Sequence, residues 1–437
     1  MAAWAVLAGI LAAALHDVSL AWDVWYYHLP FAARIAGIVP ADQFAYDPMN
    51  QARFEGFPLL AETLQGFLWR VTGRAESANL VAFSAVPLFA WFMKKKMDVP
   101  MHATLLALLA IPLVMIHATS CYVDLPANAC VAALVLVAIR AWADEAKPDA
   151  KTLALALVLG AMAANMKALM HPIVLVALCA IVWRARAWWM LACFPIVFFT
   201  PLKNLILHHN PYYPVAFNVF GHTLPGPDDP YSSSPVWLEH APRPVRFLCS
   251  ILELGVKDRW TVDQWTPPEA PGYRMGGYFG AYVVFNLVFF AWRAIRERAD
   301  RRVRAATIGL LVLTAIVSIL PQSHELRYYM GWMIVLVSLN VWLSKKVVWT
   351  ELACALSLAA VLVITRGSFA YPSGNSFDDL VKKEVKADAI AKVHDGDHVC
   401  VRHAPWNFLW AARFHAPKSY AVREAEQPAE CEGARPL

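Results

Sequence analysis

Charge is scarce in this sequence. Asp, Glu, Lys and Arg make up 16% of its 437 residues while 59% are hydrophobic, a balance that excludes a soluble globular fold of this size. Metal-binding cysteine spacing is absent too. None of the eight cysteines stands in C-x-x-C register, and Cys130, Cys179, Cys193 and Cys354 fall inside apolar runs, as small core residues do. No internal repeat of fixed period is present and the apolar runs carry no paired interruptions, features that many transporters display. The opening MAAWAVLAGILAAALHDVSLAW has no basic leader and no small-residue cleavage site, so it reads as a retained span rather than a cleaved signal.

What fills the chain instead is apolar runs. A helix needs about 20 apolar residues to cross a hydrocarbon core. About eleven stretches come close: 1–20, 76–93, 100–118, 125–142, 152–167, 171–185, 187–205, 277–293, 305–320, 328–343 and 347–365. The expected fold is an all-α polytopic membrane bundle. The net charge of +5 follows from topology. Lys94 to Lys96, Lys147, Lys151, Arg184, Arg186, the run RAIRERADRRVR, Lys345 and Lys346 fall in alternate loops, and an excess of Lys and Arg marks cytoplasmic loops. The amino terminus is therefore expected inside and the carboxyl tail outside, with no need of a nucleic-acid partner.

The outward segments hold the unusual residues. They are a first loop over 23–76, short turns at TSCYVDLPAN, NMKALMHP and PQSHELRYY, a long loop over 208–275, and a soluble tail over 371–437, which leaves 1–370 as the membrane module. In the first loop, VWYYHLPFAARIAGIV and PLLAETLQGFLWRVTG have helical periodicity without the length to span, as interfacial helices do. Trp22, Trp25, Tyr26, Tyr27 and Trp69 suit an anchoring aromatic belt. The long loop is rich in Pro, Gly and Asp and predicts turns with one short helix at RPVRFLCSILELGV. The tail predicts strand, helix, strand, a small α/β appendage. Cys400 and Cys431 both lie in it, where a disulfide is chemically permitted.

Carboxylates and cations gather on this outward face. Asp23 either caps the helix that follows it or serves as a base. Asp42, Asp47, Glu55 and Glu62 share its loop, and Asp124 precedes a span. Lys167, Lys203 and Arg327 stand at outward span ends, against the usual bias; they either hold a lipid-borne phosphate by charge-assisted hydrogen bonds or snorkel to the interface. His324 and Glu325 are possible partners of Arg327. His28 is a candidate substrate contact, metal ligand or cap, whereas His208 and His209 lack a third partner at metal spacing.

The layout of a span, WDVWYYHLPFAARIAG, RFEGFPLLAETLQGFLWRVTG and a second span resembles the first outward loop of bacterial GT-C glycosyltransferases, nearest the family 39-like members that include protein mannosyltransferases and the lipid A aminoarabinose transferase. YVDLP, NMKALMHP, KNLILHHNPYYP and HELRYYMGW are similar to further pieces of that pattern, and the likeness covers about residues 1–343 in layout. The resemblance implies an inverting enzyme of the bacterial inner membrane, active on the periplasmic side. It would move sugar from a polyprenyl-phosphate donor to a lipid, polysaccharide or protein acceptor. Asp23 would be the catalytic carboxylate and Asp124 a second acid. Lys167 and Arg327 would hold the donor phosphate, and Tyr27, His28, Glu62, Lys203, His324 and Tyr328 are candidate substrate contacts. Two departures stand out: Val24 replaces the acid that commonly follows the first Asp, and Ala168 replaces a glycine after the lysine. They leave a divalent cation, Mg or Mn, as an open cofactor. The rival readings are a membrane transporter or flippase, and a ligase or oligosaccharyltransferase moving a preassembled glycan.

Overall fold

Every apolar stretch read from the sequence is occupied by a helix or by a broken pair of helices. The structure, a computed structural model, describes residues 2–219, 221–228, 240–254, 277–344, 347–402, 404–431 and 433–436. The parts of the long loop at 229–239 and 255–276, and Lys345 and Lys346, lie outside the described residues. Five helices have the length and composition to cross a membrane: Ala75–Lys96, Asp124–Ala143, Ala168–Ala185, Arg301–Ile319 and Leu326–Leu343. The shorter apolar helices Ala2–His16, Ala150–Met166 and Val348–Ile364, and the helix Gly280–Arg296, take up four more stretches.

The remaining two stretches correct the expectation of uninterrupted spans. Met101–Leu109 and Pro112–Ala118 meet at 96°, and Trp188–Val197 and Phe199–His208 at 61°. Proline explains both. Pro112 opens the second helix of the first pair, where its missing N–H costs nothing but its ring prevents continuation from the preceding turn. In the second pair Pro201 follows the break at Phe198 and cannot donate back to Val197.

Asp124–Ala143 is the axis of the bundle, almost entirely buried by helices on every side. Asn128 locks it to Leu326–Leu343: its Nδ2 donates to the Asp124 and Arg327 carbonyls at 2.8 and 3.2 Å, and its Oδ1 accepts from Gly331 N at 2.7 Å. A side chain at Gly331 would sit 3.0 Å from Val131 and 3.1 Å from Asn128, so the close approach favours glycine. The axis helix is about 30 Å long at 1.5 Å per residue. At its far end Arg140 pairs with Asp144 at 3.1 Å, Arg184 donates to the Asp144 and Glu145 carbonyls, and Arg301 to the Trp142 carbonyl. Basic residues from three helices thus share the end opposite Asp124.

The first loop forms the expected helices. Val24–His28 is wound as one wide π turn that runs into Leu29–Ile35, and Leu60–Thr72 packs across them. Pro48–Gly56 adds a third, capped by Asp47, whose Oδ1 accepts from Asn50 N at 2.9 Å. In the long loop the expected helix is present at Arg243–Ile251. The sequence reading missed the hairpin that precedes it.

The tail contains the expected strands, with short 3-10 turns at Trp406–Trp410 and Ala412–Phe414 where a helix was anticipated. In chain order the strands are β1 (Phe44–Ala45), β2 (Phe217–Val219), β3 (His222–Leu224), β4 (His398–Val401), β5 (Ala421–Glu424) and β6 (Arg435–Pro436); β2 and β3 are the antiparallel hairpin of the long loop. The tail sheet has the order β1-β5-β4-β6 and is parallel throughout. Its edge strand β1 comes from the first loop, so the tail is joined to that loop by backbone pairing. Cys400 and Cys431 are disulfide-bonded.

A core of their own seals this joint. Trp25, Leu29, Phe44 and Trp69 of the first loop pack with Phe377, Val399, Phe408 and Val422 of the tail. The aromatic belt expected in the first loop is corrected accordingly. Trp25, Tyr26 and Trp69 are buried, with Trp25 against Phe377 and Trp406, and of the five aromatics only Trp22 is largely exposed. Burying a flat ring against protein removes more apolar surface from water than leaving it at a headgroup boundary.

Candidate active site at the ends of the spans

Four charges from four elements meet at the end of the axis helix. Asp23 lies between the first span and the π turn, and its side chain makes no capping bond. Its Oδ2 instead accepts from Arg327 Nη1 at 2.7 Å. Capping is thereby set aside as the reason for this acid. Arg327 sits in the 3-10 turn Leu326–Tyr329 that leads into the next span, and its Nη2 donates to the Tyr328 hydroxyl at 3.1 Å. Asp124, first residue of the axis helix, forms an ion pair with Lys167. Lys167 occupies the extended residue that ends Ala150–Met166, which turns its side chain inward; the ammonium lies 4.1 Å over the Tyr328 ring.

The two ion pairs form one electrostatic unit. Asp124 is attracted by both Lys167 and Arg327, while Asp23 and Asp124 raise each other's cost of ionising. Burial alone pushes the Asp23 carboxyl up, but the attraction of Arg327, helped by His28, outweighs it and holds the group below its ordinary value. Asp23 is therefore ionised. It is also the most open of the four, 19% exposed at the side chain against 13% for Lys167, 5% for Arg327 and 2% for Asp124.

Other candidates from the sequence surround this unit. His28 does not cap its helix; Nδ1 bonds Glu62 Oε1 at 2.8 Å, with both side chains buried. The Tyr27 ring lies tilted against it, ring centroids 4.3 Å apart, and senses Asp23 and Arg327 electrostatically. Tyr328 joins Lys167 to Arg327. Two candidates stand apart: Lys203 donates to the Glu55 carbonyl on the first loop, and the buried His324 places Nε2 4.0 Å from Glu325 while its carbonyl accepts from Ser250 Oγ at 2.6 Å.

The sequence reading passed over two rings. Tyr122 is the hub of the cluster, 4.7 Å from His117 and 5.8 Å from His28 between ring centroids, with the Arg327 guanidinium 5.4 Å away. It stands two residues before Asp124 in YVDLP, which was the available signal. His117, fully buried after the bend at Pro112, also acts on Asp124; nothing in its apolar run announces it.

Asp23 and Asp124 are each matched to a basic side chain, and among the described residues no group of three or more His, Cys, Asp or Glu converges. Chemically the arrangement offers a partly exposed carboxylate beside two cations.

No protein-family model matches the chain, and no curated protein matches it in sequence. Solved structures do match it. ArnT from Cupriavidus metallidurans bound to undecaprenyl phosphate superposes with a TM-score of 0.51 at 12% identity, over 98% of this chain and 86% of that one. The same protein in the apo state gives a TM-score of 0.55 at 11% identity, over 100% and 88%. The chain shares the fold of that protein along nearly its whole length.

Proposed function

We propose that this protein is an inverting glycosyltransferase of the bacterial inner membrane. It transfers a sugar from a polyprenyl-phosphate donor to an envelope lipid, polysaccharide or protein on the periplasmic side. The observation that carries the reading is the Asp23–Arg327 pair lying beside Asp124–Lys167 at the membrane end of the bundle. That ArnT, which shares the fold, is described with undecaprenyl phosphate bound supports a lipid phosphate as the anion. Basic loops gathered at the opposite end support the orientation, as does a disulfide in the tail.

The chemistry follows from the charges. Donor phosphate entering the cluster competes for Arg327 and Lys167 and loosens the Arg327 hold on Asp23. Released from that attraction, Asp23 becomes a stronger base. The acceptor hydroxyl loses its proton to Asp23 as its oxygen bonds the anomeric carbon from the face opposite the phosphate. The bond from that carbon to the phosphate oxygen breaks with its electron pair, and the two cations stabilise the polyprenyl phosphate that leaves. No second carboxylate at nucleophile distance is needed, because no covalent sugar–enzyme intermediate forms.

The two broken spans are the feature a transporter would use, but neither break contains a charged residue. Mass spectrometry of envelope glycolipids and glycoproteins from cells with and without the gene tests the proposal. Loss of one sugar from one acceptor is expected. Identical envelopes, together with lipid-linked sugar moved across vesicles without transfer, would establish a flippase instead.

A further inference from the structure

Away from the Asp23 cluster, two carboxyl groups meet where the tail docks on the first loop. Glu424 stands on β5 and Asp47 caps Pro48–Gly56; they are 4% and 1% exposed. Glu424 Oε2 accepts from Asn50 Nδ2 at 3.1 Å and from Asp47 N at 3.5 Å, and its Oε1 accepts from Asn407 Nδ2 at 3.1 Å. Asp47 uses Oδ1 for its helix cap, while its Oδ2 is buried without a donor. Asn50 bonds both acids, through its backbone N–H to Asp47 and through its side chain to Glu424, which sets the two carboxyl groups side by side.

The other titratable groups facing the pair give it no positive partner. They are the Glu426 carboxylate and the phenols of Tyr26 and Tyr46. Arg53 and Arg34 are nearby but face the Tyr26 and Tyr46 rings, at 5.5 and 4.1 Å. Among the described residues neither Asp47 nor Glu424 forms an ion pair. An acceptor left without a donor this far from water costs about 1–3 kcal/mol, and two adjacent carboxylates resist double ionisation. One proton on Glu424 answers both, donated to the vacant Asp47 oxygen.

We propose that Asp47 and Glu424 share a single proton, and that this proton latches the tail onto the first loop and releases it in alkaline conditions. The latch bears on the candidate active site. Asn50, which holds Glu424, also donates to the Tyr26 carbonyl at 3.2 Å, and the Tyr26 hydroxyl donates to Glu426. Tyr26 belongs to the π turn that begins beside Asp23. A tail that lifts thus loosens the turn next to the base. This inference stands on the joint alone and does not depend on the reaction proposed above.

Its sign is fixed by the direction of the shifts. Burial, and then the Asp47 charge, push the Glu424 carboxyl from its usual 4.5 up to about 8, and burial raises Asp47 as well. The docked state keeps a proton that a free tail releases, so docking is strongest in acid. It weakens by up to about tenfold per pH unit between about 4.5 and about 8, and levels off above.

Hydrogen–deuterium exchange on the full chain in lipid nanodiscs, corrected for the intrinsic pH dependence of exchange, reads this through peptides covering 44–50 and 421–424. Wild-type protection is expected to fall by about tenfold per unit from pH 6 to 8. Glu424→Gln, whose amide replaces the O–H donor, should flatten the dependence. Asp47→Asn keeps the helix cap and gives an ionised Glu424 a donor, so it should flatten it too and decides the matter if Glu424→Gln does not fold. Equal wild-type protection at pH 6 and 9, or an unchanged slope in the folded variants, overturns the latch.

Discussion

Asp23 and Arg327 stand 304 residues apart in the chain and meet at 2.7 Å. The contact joins the exit of the first span to the entrance of a late one, and the guanidinium keeps the carboxyl ionised.

Asp23→Asn keeps the shape and removes the base. Transfer is expected to fall by about 10²–10⁴-fold while the protein remains folded in membranes, measured as product formed from a polyprenyl-phosphate sugar. Retained turnover would exclude Asp23 as the base.

The pH profile should separate the free enzyme from the complex. With its pKa held below 3.8 by Arg327, free Asp23 stays a base at any higher pH, and the ion pair is lost only as pH falls through that lowered value. The acid limb of kcat/KM should therefore lie below about pH 4. Phosphate that takes Arg327 away raises the carboxyl, so the acid limb of kcat should lie higher. Coincident limbs would mean that the donor does not displace the pair.

Arg327→Ala should lower kcat/KM by about 10²–10³-fold, the scale of losing one preorganised donor to developing charge. Steady-state kinetics with the lipid-linked donor measure it. Binding of bare polyprenyl phosphate should weaken in parallel, whereas an acceptor-only role would leave that binding unchanged.

Lys167→Ala strands a buried Asp124, 2% exposed at its side chain, and should destabilise the protein by about 3–5 kcal/mol. Adding Asp124→Asn removes the stranded charge and should recover much of the loss without restoring activity. Thermal unfolding in detergent compares the variants; no recovery in the double variant would show that the pair is not the source of the cost.

Cys431→Ser opens a link spanning 31 residues of the tail, a loop whose closure is worth about 3–4 kcal/mol in chain-entropy terms. Faster proteolysis of β6 and its approach is expected, with the membrane bundle intact on the same gel. Equal cleavage of wild-type and variant tails would leave the disulfide without a stabilising role.

Composition and hydropathy alone determined that this chain is built of apolar helices of membrane-spanning character and, apart from two broken spans, where those helices run. Those properties follow from water and lipid acting on short windows of sequence, and a helix satisfies its own backbone wherever it sits. The first-loop pattern also pointed to Asp23, and YVDLP, NMKALMHP and HELRYYMGW to Asp124, Lys167 and Arg327. Which acid pairs with which base, that Tyr122 and His117 stand among them, that Trp25 is interior rather than at a lipid boundary, and that β1 edges a sheet made by the tail were decided by tertiary structure. Each depends on residues distant in sequence arriving together, and a window of twenty residues contains no information about what packs against it.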